Sequence, residues 1–503
     1  MRRGALIAGV VLLLPVAAGQ AQPRSIPRPH ASFTKRGVDS VARWVPGRVL
    51  VRWDRGVSAA RARSVAAAAG ARVVDRVGMG GVDVLRTRAG VIETVKRLSR
   101  ARAVGVAQPD YLLFSSALPT DPRLDAQWGL INTGQLHPVT GSTERSSGRD
   151  DADIDGEAGW LAPSGAPVLA VLDSGVDVSH PDLDDNLWSN PDEIPGNGID
   201  DDGNGLVDDV HGWDFARDRA DLFEENGLPG HEHGTHVAGI AAAETDNATG
   251  IAGVCATCRI MVLKFMRPTD TDGDGVADVM AGRTSAELDA LAYARRQGAD
   301  VLNASFGSPA WSRLERDAFK RLSDAGTLAV AAAGNLNGDN DMFLFADFDG
   351  DGSADAISPS YPASYDLTGI ISVAASNDRD RYGYGTKCAS VRGARWPCTF
   401  TSWGRVSVDL AAPGVDVVST VQAPSYDVFD GTSMASPHVA ATAALLSALH
   451  PGWGPSVLKN AITSTVDKPD GLDTLRAIPG HPVFDGGLSA TNGRLNVAGA
   501  LSA

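Results

Sequence analysis

The chain has 503 residues, is 43% hydrophobic and carries a formal net charge of -16, enough length for a large core and for more than one domain. Charge divides it sharply: residues 1–115 hold 20 Lys and Arg against 6 Asp and Glu, whereas residues 116–503 hold 25 against 55. The acidic body would repel phosphates, which argues against nucleic acid as its partner. It would attract the basic segment, although ordinary solubility explains an acidic surface equally well.

In chain order, Arg2 and Arg3 precede an apolar run from Ala5 to Ala18 with small residues after it, so residues 1–21 read as a secretory signal peptide. The run is shorter than the roughly 20 residues that span a bilayer, and no later stretch is long and apolar enough. Residues 22–44, rich in Pro and Arg, read as a linker. A small domain at 45–116 follows: a strand over Arg48–Trp53, a helix over Ser58–Gly70, a strand over Val82–Leu85, a helix over Val91–Leu98 and a closing strand from Val104.

From 117 to 503, apolar strands alternate with Ala-rich helices, as at 260–264, 285–296, 301–305, 318–325 and 328–332. That alternation predicts an α/β fold in three layers, a parallel sheet with helices on both faces, and a site at the carboxyl ends of the strands.

Three segments carry the chemistry. Val168-Leu169-Ala170-Val171-Leu172-Asp173-Ser174-Gly175 is an apolar strand ending in a carboxylate, and His231-Glu232-His233-Gly234-Thr235-His236 sets a histidine at a helix start. Gly431-Thr432-Ser433-Met434-Ala435-Ser436-Pro437-His438 places a serine between small residues before an Ala-rich helix. A serine hydroxyl needs a base to become a nucleophile, and the base needs an orienting carboxylate. The order Asp, His, Ser and the Ala at position 435 both argue against an α/β-hydrolase, which would run Ser, Asp, His with Gly-x-Ser-x-Gly.

These blocks resemble those of the subtilisin-like (subtilase) serine proteases over about residues 121–501. The resemblance implies Asp173, His233 and Ser433 as the triad, and Asn335 of Ala331-Ala332-Ala333-Gly334-Asn335 as the oxyanion donor. Ser305, Phe306 and Gly307 resemble the strand that pairs with substrate and walls the specificity pocket, with Phe where most members have Leu. Ser360, before Tyr361-Pro362, falls at the pocket base and implies a preference for apolar side chains. The domain at 45–116 resembles the family's propeptide, an intramolecular inhibitor, with the cut expected between Phe114 and Leu118. A permanent accessory domain is the other reading. The closing segment from Gly493 leaves no further C-terminal domain in this reading.

Three acidic segments share oxygen-bearing side chains at positions 1, 3, 5 and 9 with Gly at 6. They are Asp200, Asp202, Asn204 and Asp208; Asp270, Asp272, Asp274 and Asp278; and Asp347, Asp349, Asp351 and Asp355. This is the first part of an EF-hand-type calcium loop, but each lacks the Glu at position 12, so a ligand from elsewhere is needed. In the first, Asp209 competes with Asp208 for position 9. Solvated acidic turns are the alternative. The family resemblance adds a structural calcium at Asp121, Asp182 and Asn247.

Four cysteines in a secreted chain pair, and nearness in sequence favours Cys255 with Cys258 and Cys388 with Cys398. A redox role for Cys255-x-x-Cys258 is disfavoured because the motif precedes a strand rather than opening a helix, and zinc is disfavoured because no spaced His pair lies nearby. His231, His236 and His438 read as packing residues. The expectation is a secreted, monomeric, calcium-stabilised serine endopeptidase acting on proteins or peptides. A catalytically dead binding protein on the same scaffold and a non-peptide esterase are the competing classes.

Overall fold

The computed structural model describes residues 44–77, 81–88, 90–111, 118–162, 165–224, 228, 230–271, 273–346, 355–383, 390–391, 394–395, 401–472, 487 and 489–503. The expected signal peptide, almost all of the linker, most of the expected propeptide cut, Asp272, Asp347, Asp349, Asp351, Cys388 and Cys398 lie outside the described residues, as does the side chain of Asp355. Contacts divide the chain into two compact units, 1–112 and 113–503.

The first unit is a four-stranded antiparallel sheet in the order Ala71–Val77, Val82–Thr87, Trp44–Trp53, Val104–Tyr111, with helices Ala59–Ala68 and Val91–Ser99. Val49, Val51, Leu85, Val95 and Leu98 form its core. The strand Ala71–Val77 was not expected from sequence. It lies at the sheet edge, its register shifts between Val73 and Asp75, and its last four residues are exposed, so apolar alternation is lost.

The second unit is built on a seven-stranded parallel sheet. In order across it run Leu410–Pro413, Ile370–Ser376, Leu328–Ala332, Val301–Ala304, Val168–Asp173, Arg259–Lys264 and Gly212–Asp214. Successive side chains on a strand point to opposite faces, and the sequence uses both. Leu169, Val171, Ile260, Val262 and Val330 join the core beneath helices His233–Ala242 and Thr432–Leu449. Ala170, Leu172, Met261, Leu263 and Ala331 join the other core, beneath helices Thr284–Arg296 and Arg313–Asp324. Each fully buried Leu or Val contributes about 1.5–3 kcal/mol relative to exposure, which is why the strands read as unbroken apolar runs.

The chain lays down Val168–Asp173 in the middle, crosses to one edge, returns beside it at Arg259–Lys264, and then builds outward on the other side from Val301. This reversal next to Asp173 is where an open α/β sheet leaves a crevice for ligands. Cys255 and Cys258, both fully buried, are joined by a disulfide just before the strand at Arg259. Among the described residues, no helix is long and apolar enough to cross a membrane.

Candidate active site

Asp173 is the last residue of its strand and is fully buried. Its Oδ1 accepts from the Ser174 N–H at 2.6 Å and from His233 Nδ1 at 2.8 Å. An ionised carboxylate can only accept, so Nδ1 carries the proton and Nε2 is left as the basic nitrogen. His233 opens its helix, and Gly234 behind it is required by space. A Cβ at Gly234 would sit 2.2 Å from the Gly175 carbonyl, and Gly175 itself has φ +108°. The Ser174 hydroxyl accepts from the Gly234 N–H at 3.0 Å and binds the helix start to the Asp173 turn.

Burial acts to lower the pKa of His233, but the charge of Asp173 and its hydrogen bond outweigh it, and the imidazole is raised above its ordinary value. Two buried histidines in the helix layer behave oppositely. Burial pushes His236 down to about 3 and His438 down to about 4, leaving both neutral at pH 7. His236 stacks on Phe429 at 4.2 Å, and His438 Nδ1 lies 2.9 Å from the Met434 carbonyl, so both act as packing residues.

Ser433 is the second residue of helix Thr432–Leu449, which packs on the His233 helix. Pro437 stands four residues later without an N–H, so the Ser433 carbonyl has no partner in its own helix. It accepts the Ser305 hydroxyl at 2.8 Å instead, while the Ser433 hydroxyl donates to the Ser305 carbonyl at 3.0 Å. Asn303 steadies this exchange: its Nδ2 donates to Ser305 Oγ at 2.9 Å, and its Oδ1 accepts from Ser436 Oγ at 2.7 Å.

Asn335 Oδ1 accepts both the N–H and the hydroxyl of Thr432 at 2.9 Å. With its oxygen engaged, the amide presents Nδ2 as a donor beside the serine segment. Ser360 lies between two walls. A Cβ at Gly307 would be 2.2 Å from its hydroxyl, and one at Gly334 3.3 Å. Paired backbone hydrogen bonds between Ser308 and Tyr361 (2.9 and 2.8 Å) and Asn340, which accepts from the Ser360 N–H and donates to the Ala333 carbonyl, hold those walls together. Phe306 packs its ring on Phe265 at 4.7 Å. Sequence reading missed Thr432, Asn303 and Asn340, since a buried amide that braces a loop has no spacing signature.

The first acidic loop gathers Glu193, Asp200 and Asp202, with ligand atoms all within 4.8 Å of one another. Glu193 Oε2 is buried without a partner among the described residues. Asn204 donates to Asp202 and to the fully buried Asp209. Asp208, the expected position 9, turns away and accepts from the N–H groups of Asn197 and Gly198, whereas Asp209 faces the loop and accepts from Asn190 and Asn204. Glu193, seven residues ahead of the loop, adds a carboxylate from outside the motif to this cluster. No motif would have found it.

The second acidic loop caps a hairpin of Met266–Thr269 and Val279–Gly282. Asp270 accepts from the N–H groups of Gly273 and Gly275, Asp274 from that of Val276, and Asp278 from Thr271, so the described carboxylates serve their own turn. Asp121, Asp182 and Asn247 come together from three segments: Asn247 Nδ2 donates to Asp182 at 2.8 Å, and the Asp246 N–H to Asp121 at 3.0 Å. Asp121 Oδ1 is a second buried carboxylate oxygen without a partner among the described residues.

The subtilase family matches residues 164–486, a span that holds Asp173, His233, Asn335 and Ser433. The chain belongs to the subtilase family. The fervidolysin N-terminal prodomain matches residues 36–110, so this subtilase carries a propeptide-type domain ahead of its serine protease domain. It is similar to the thermophilic serine proteinase of Bacillus sp. (strain AK1), 32% identical over 460 residues that cover 91% of this chain and 89% of that one. It is similar to thermitase of Thermoactinomyces vulgaris, 31% identical over 62% of this chain and 86% of that one. The halolysin-like extracellular serine protease Nep of Natrialba magadii is 31% identical over 61% of this subtilase and 45% of Nep.

Proposed function

We propose that this subtilase is a secreted, calcium-stabilised endopeptidase made as a propeptide-inhibited zymogen, with Ser433 as nucleophile, His233 as general base and then acid, Asp173 as the orienting carboxylate and Asn335 as oxyanion donor. The observation that carries the reading is the 2.8 Å contact of His233 Nδ1 with the buried Asp173, on a helix packed against that of Ser433. Ser433 Oγ attacks the peptide carbonyl carbon and its proton passes to His233 Nε2. The oxyanion is received by Asn335 Nδ2. Collapse expels the amine with the proton from His233, and water, deprotonated in turn by His233, cleaves the acyl-enzyme to release the acid and restore Ser433.

Asn335→Ala should lower kcat by about 100- to 1000-fold with KM little changed, because the donor acts on charge that exists only in the transition state. An unchanged kcat, read by initial rates on a peptide anilide, counts against that role. His233 must be neutral to take the proton, and its pKa is raised, so the acid limb of kcat/KM should have its midpoint above the ordinary value of about 6.5. A pH–rate profile with its acid limb below that value contradicts the assignment.

Neutral Ser360, packed against Gly307 and close to Gly334, brings no charge to the substrate slot expected there, which suits apolar side chains. Glu193, Asp200 and Asp202, with Asp209 alongside, and Asp121, Asp182 and Asn247 offer oxygen-rich sets with unpartnered buried carboxylate oxygens, the chemistry calcium requires. Bound there, calcium would neutralise charge and tie distant segments. The Arg2-Arg3 and apolar leader supports secretion, and the excess of basic over acidic residues in 1–115 supports electrostatic attraction to the acidic body.

A further inference from the structure

Two glutamates are buried without an ion pair to any cation among the described residues. Glu287, 4% exposed, is on helix Thr284–Arg296, and Glu315, 6% exposed, is on the neighbouring helix Arg313–Asp324. Their carboxyls lie within hydrogen-bonding reach, and Glu287 Oε1 is buried with no other partner among the described residues. Tyr365 OH lies 2.8 Å from Glu315 Oε2, and the Glu315 N–H is capped by Ser312 Oγ. The surroundings are apolar: Ala286, Ala290, Leu291 and Phe319.

Tyr365 is the titratable group facing the pair from the segment after Tyr361. Several basic groups on and beside these helices are engaged elsewhere: Arg313 with Asp317 at 3.7 Å and Lys320 with Asp324 at 2.7 Å. Lys264 pairs with Asp214 at 3.1 Å, Arg283 donates to the Ala216 carbonyl, and Arg316 to that of Asp366.

Two carboxylates cannot both be ionised at this range in an apolar setting without a large penalty, whereas one carboxyl donating to one carboxylate satisfies both. Burial first, then the charge of Glu315, push Glu287 up to about 9, while Glu315, raised by burial, is held down by its hydrogen bonds from Tyr365 and Glu287. We propose that Glu287 and Glu315 share a single proton that locks the two helices together, and that its loss in alkaline solution loosens the substrate slot.

The route to the slot is short. The Tyr365 and Tyr361 rings lie 4.7 Å apart, Tyr365 OH is 2.9 Å from the Ser312 carbonyl, and Tyr361 pairs its backbone with Ser308 beside Ser360. Ionising the pair adds a second buried negative charge at the base of that chain of contacts. The link to substrate rests on the slot reading given above; the shared proton itself does not.

The test uses the mature enzyme. Infrared difference spectra of the inhibitor-blocked protein should show a protonated-carboxyl band at pH 7 that is lost on raising the pH through about 9, and that Glu287→Gln lacks. In parallel, kcat and KM on a peptide anilide should show KM rising above pH 9, by up to roughly tenfold per pH unit, with kcat held. Glu287→Gln, which keeps the donor to Glu315 but has no proton to lose, should extend the low-KM plateau by about one pH unit. No carboxyl band at pH 7 overturns the shared proton, and the infrared arm stands even if the variant fails to fold. The band with an identical KM profile in wild type and Glu287→Gln overturns the link to the slot alone.

Discussion

Ser433→Ala should abolish peptide hydrolysis and leave the prodomain uncut. The expected loss in kcat is on the order of 10⁶-fold, because without the hydroxyl there is no nucleophile for His233 to activate and what remains is binding and oxyanion stabilisation. The replacement removes one oxygen whose hydrogen bond goes to the Ser305 carbonyl, so the fold should survive; the bond from the Ser305 hydroxyl to the Ser433 backbone carbonyl does not need the Ser433 side chain. Two measurements decide: casein or anilide hydrolysis, and the mass of the secreted chain. A Ser433→Ala protein that still processes itself refutes Ser433 as nucleophile. One that neither cuts nor reacts with a fluorophosphonate, beside a wild type that does both, also removes the dead binding protein from consideration. Relative rates of the wild type on an anilide and a simple ester then separate a protease from an esterase.

Calcium removal should have the second largest effect. An ion that binds the native state alone stabilises by about 4 kcal/mol at a thousand times its Kd. Losing two such ions should lower the melting temperature of the inhibitor-blocked enzyme by roughly 5–15 °C and speed autolysis of the unblocked enzyme. Without the ion, Glu193 and Asp121 each keep a buried carboxylate oxygen with no hydrogen-bond partner among the described residues, which is why the penalty should be steep. Glu193→Gln divides the effect: it should cost the ion held with Asp200 and Asp202 and spare the one at Asp121 and Asp182. Elemental analysis counts the ions directly. An EDTA-treated protein with an unchanged melt and no calcium in the untreated sample would dismiss both sites.

What the sequence disclosed follows from what each feature requires. The blocks around Asp173, His233 and Ser433 are contiguous because each needs a strand end or helix start of fixed shape, such as Gly234 against the Gly175 carbonyl, and the shape leaves its residues side by side. The three-layer fold was legible because Leu169 and Val171 face one helix layer while Ala170 and Leu172 face the other, so both phases of the strand are apolar. Bracing residues were not legible. Thr432 lies within a recognised block, yet its grip on Asn335 spans 97 residues. Glu193 differs locally from any acidic turn residue only in being buried, which the chain decides elsewhere, whereas Asp209 was legible as a rival to Asp208. The strand Ala71–Val77 failed for the opposite reason: an exposed edge imposes no pattern.

The Cys255–Cys258 bond lies wholly inside the core, with neither residue reaching solvent. A thiol reagent can attack it only after the strand at Arg259 and the helix above it have parted, so the bond reports on unfolding and not on the redox state of the medium. Native enzyme can therefore be stored and assayed with mild reductant present, and the same reductant becomes harmful once heat has opened the core. Sensitivity to thiols would accordingly appear as a shortened half-life at high temperature, with activity at room temperature untouched.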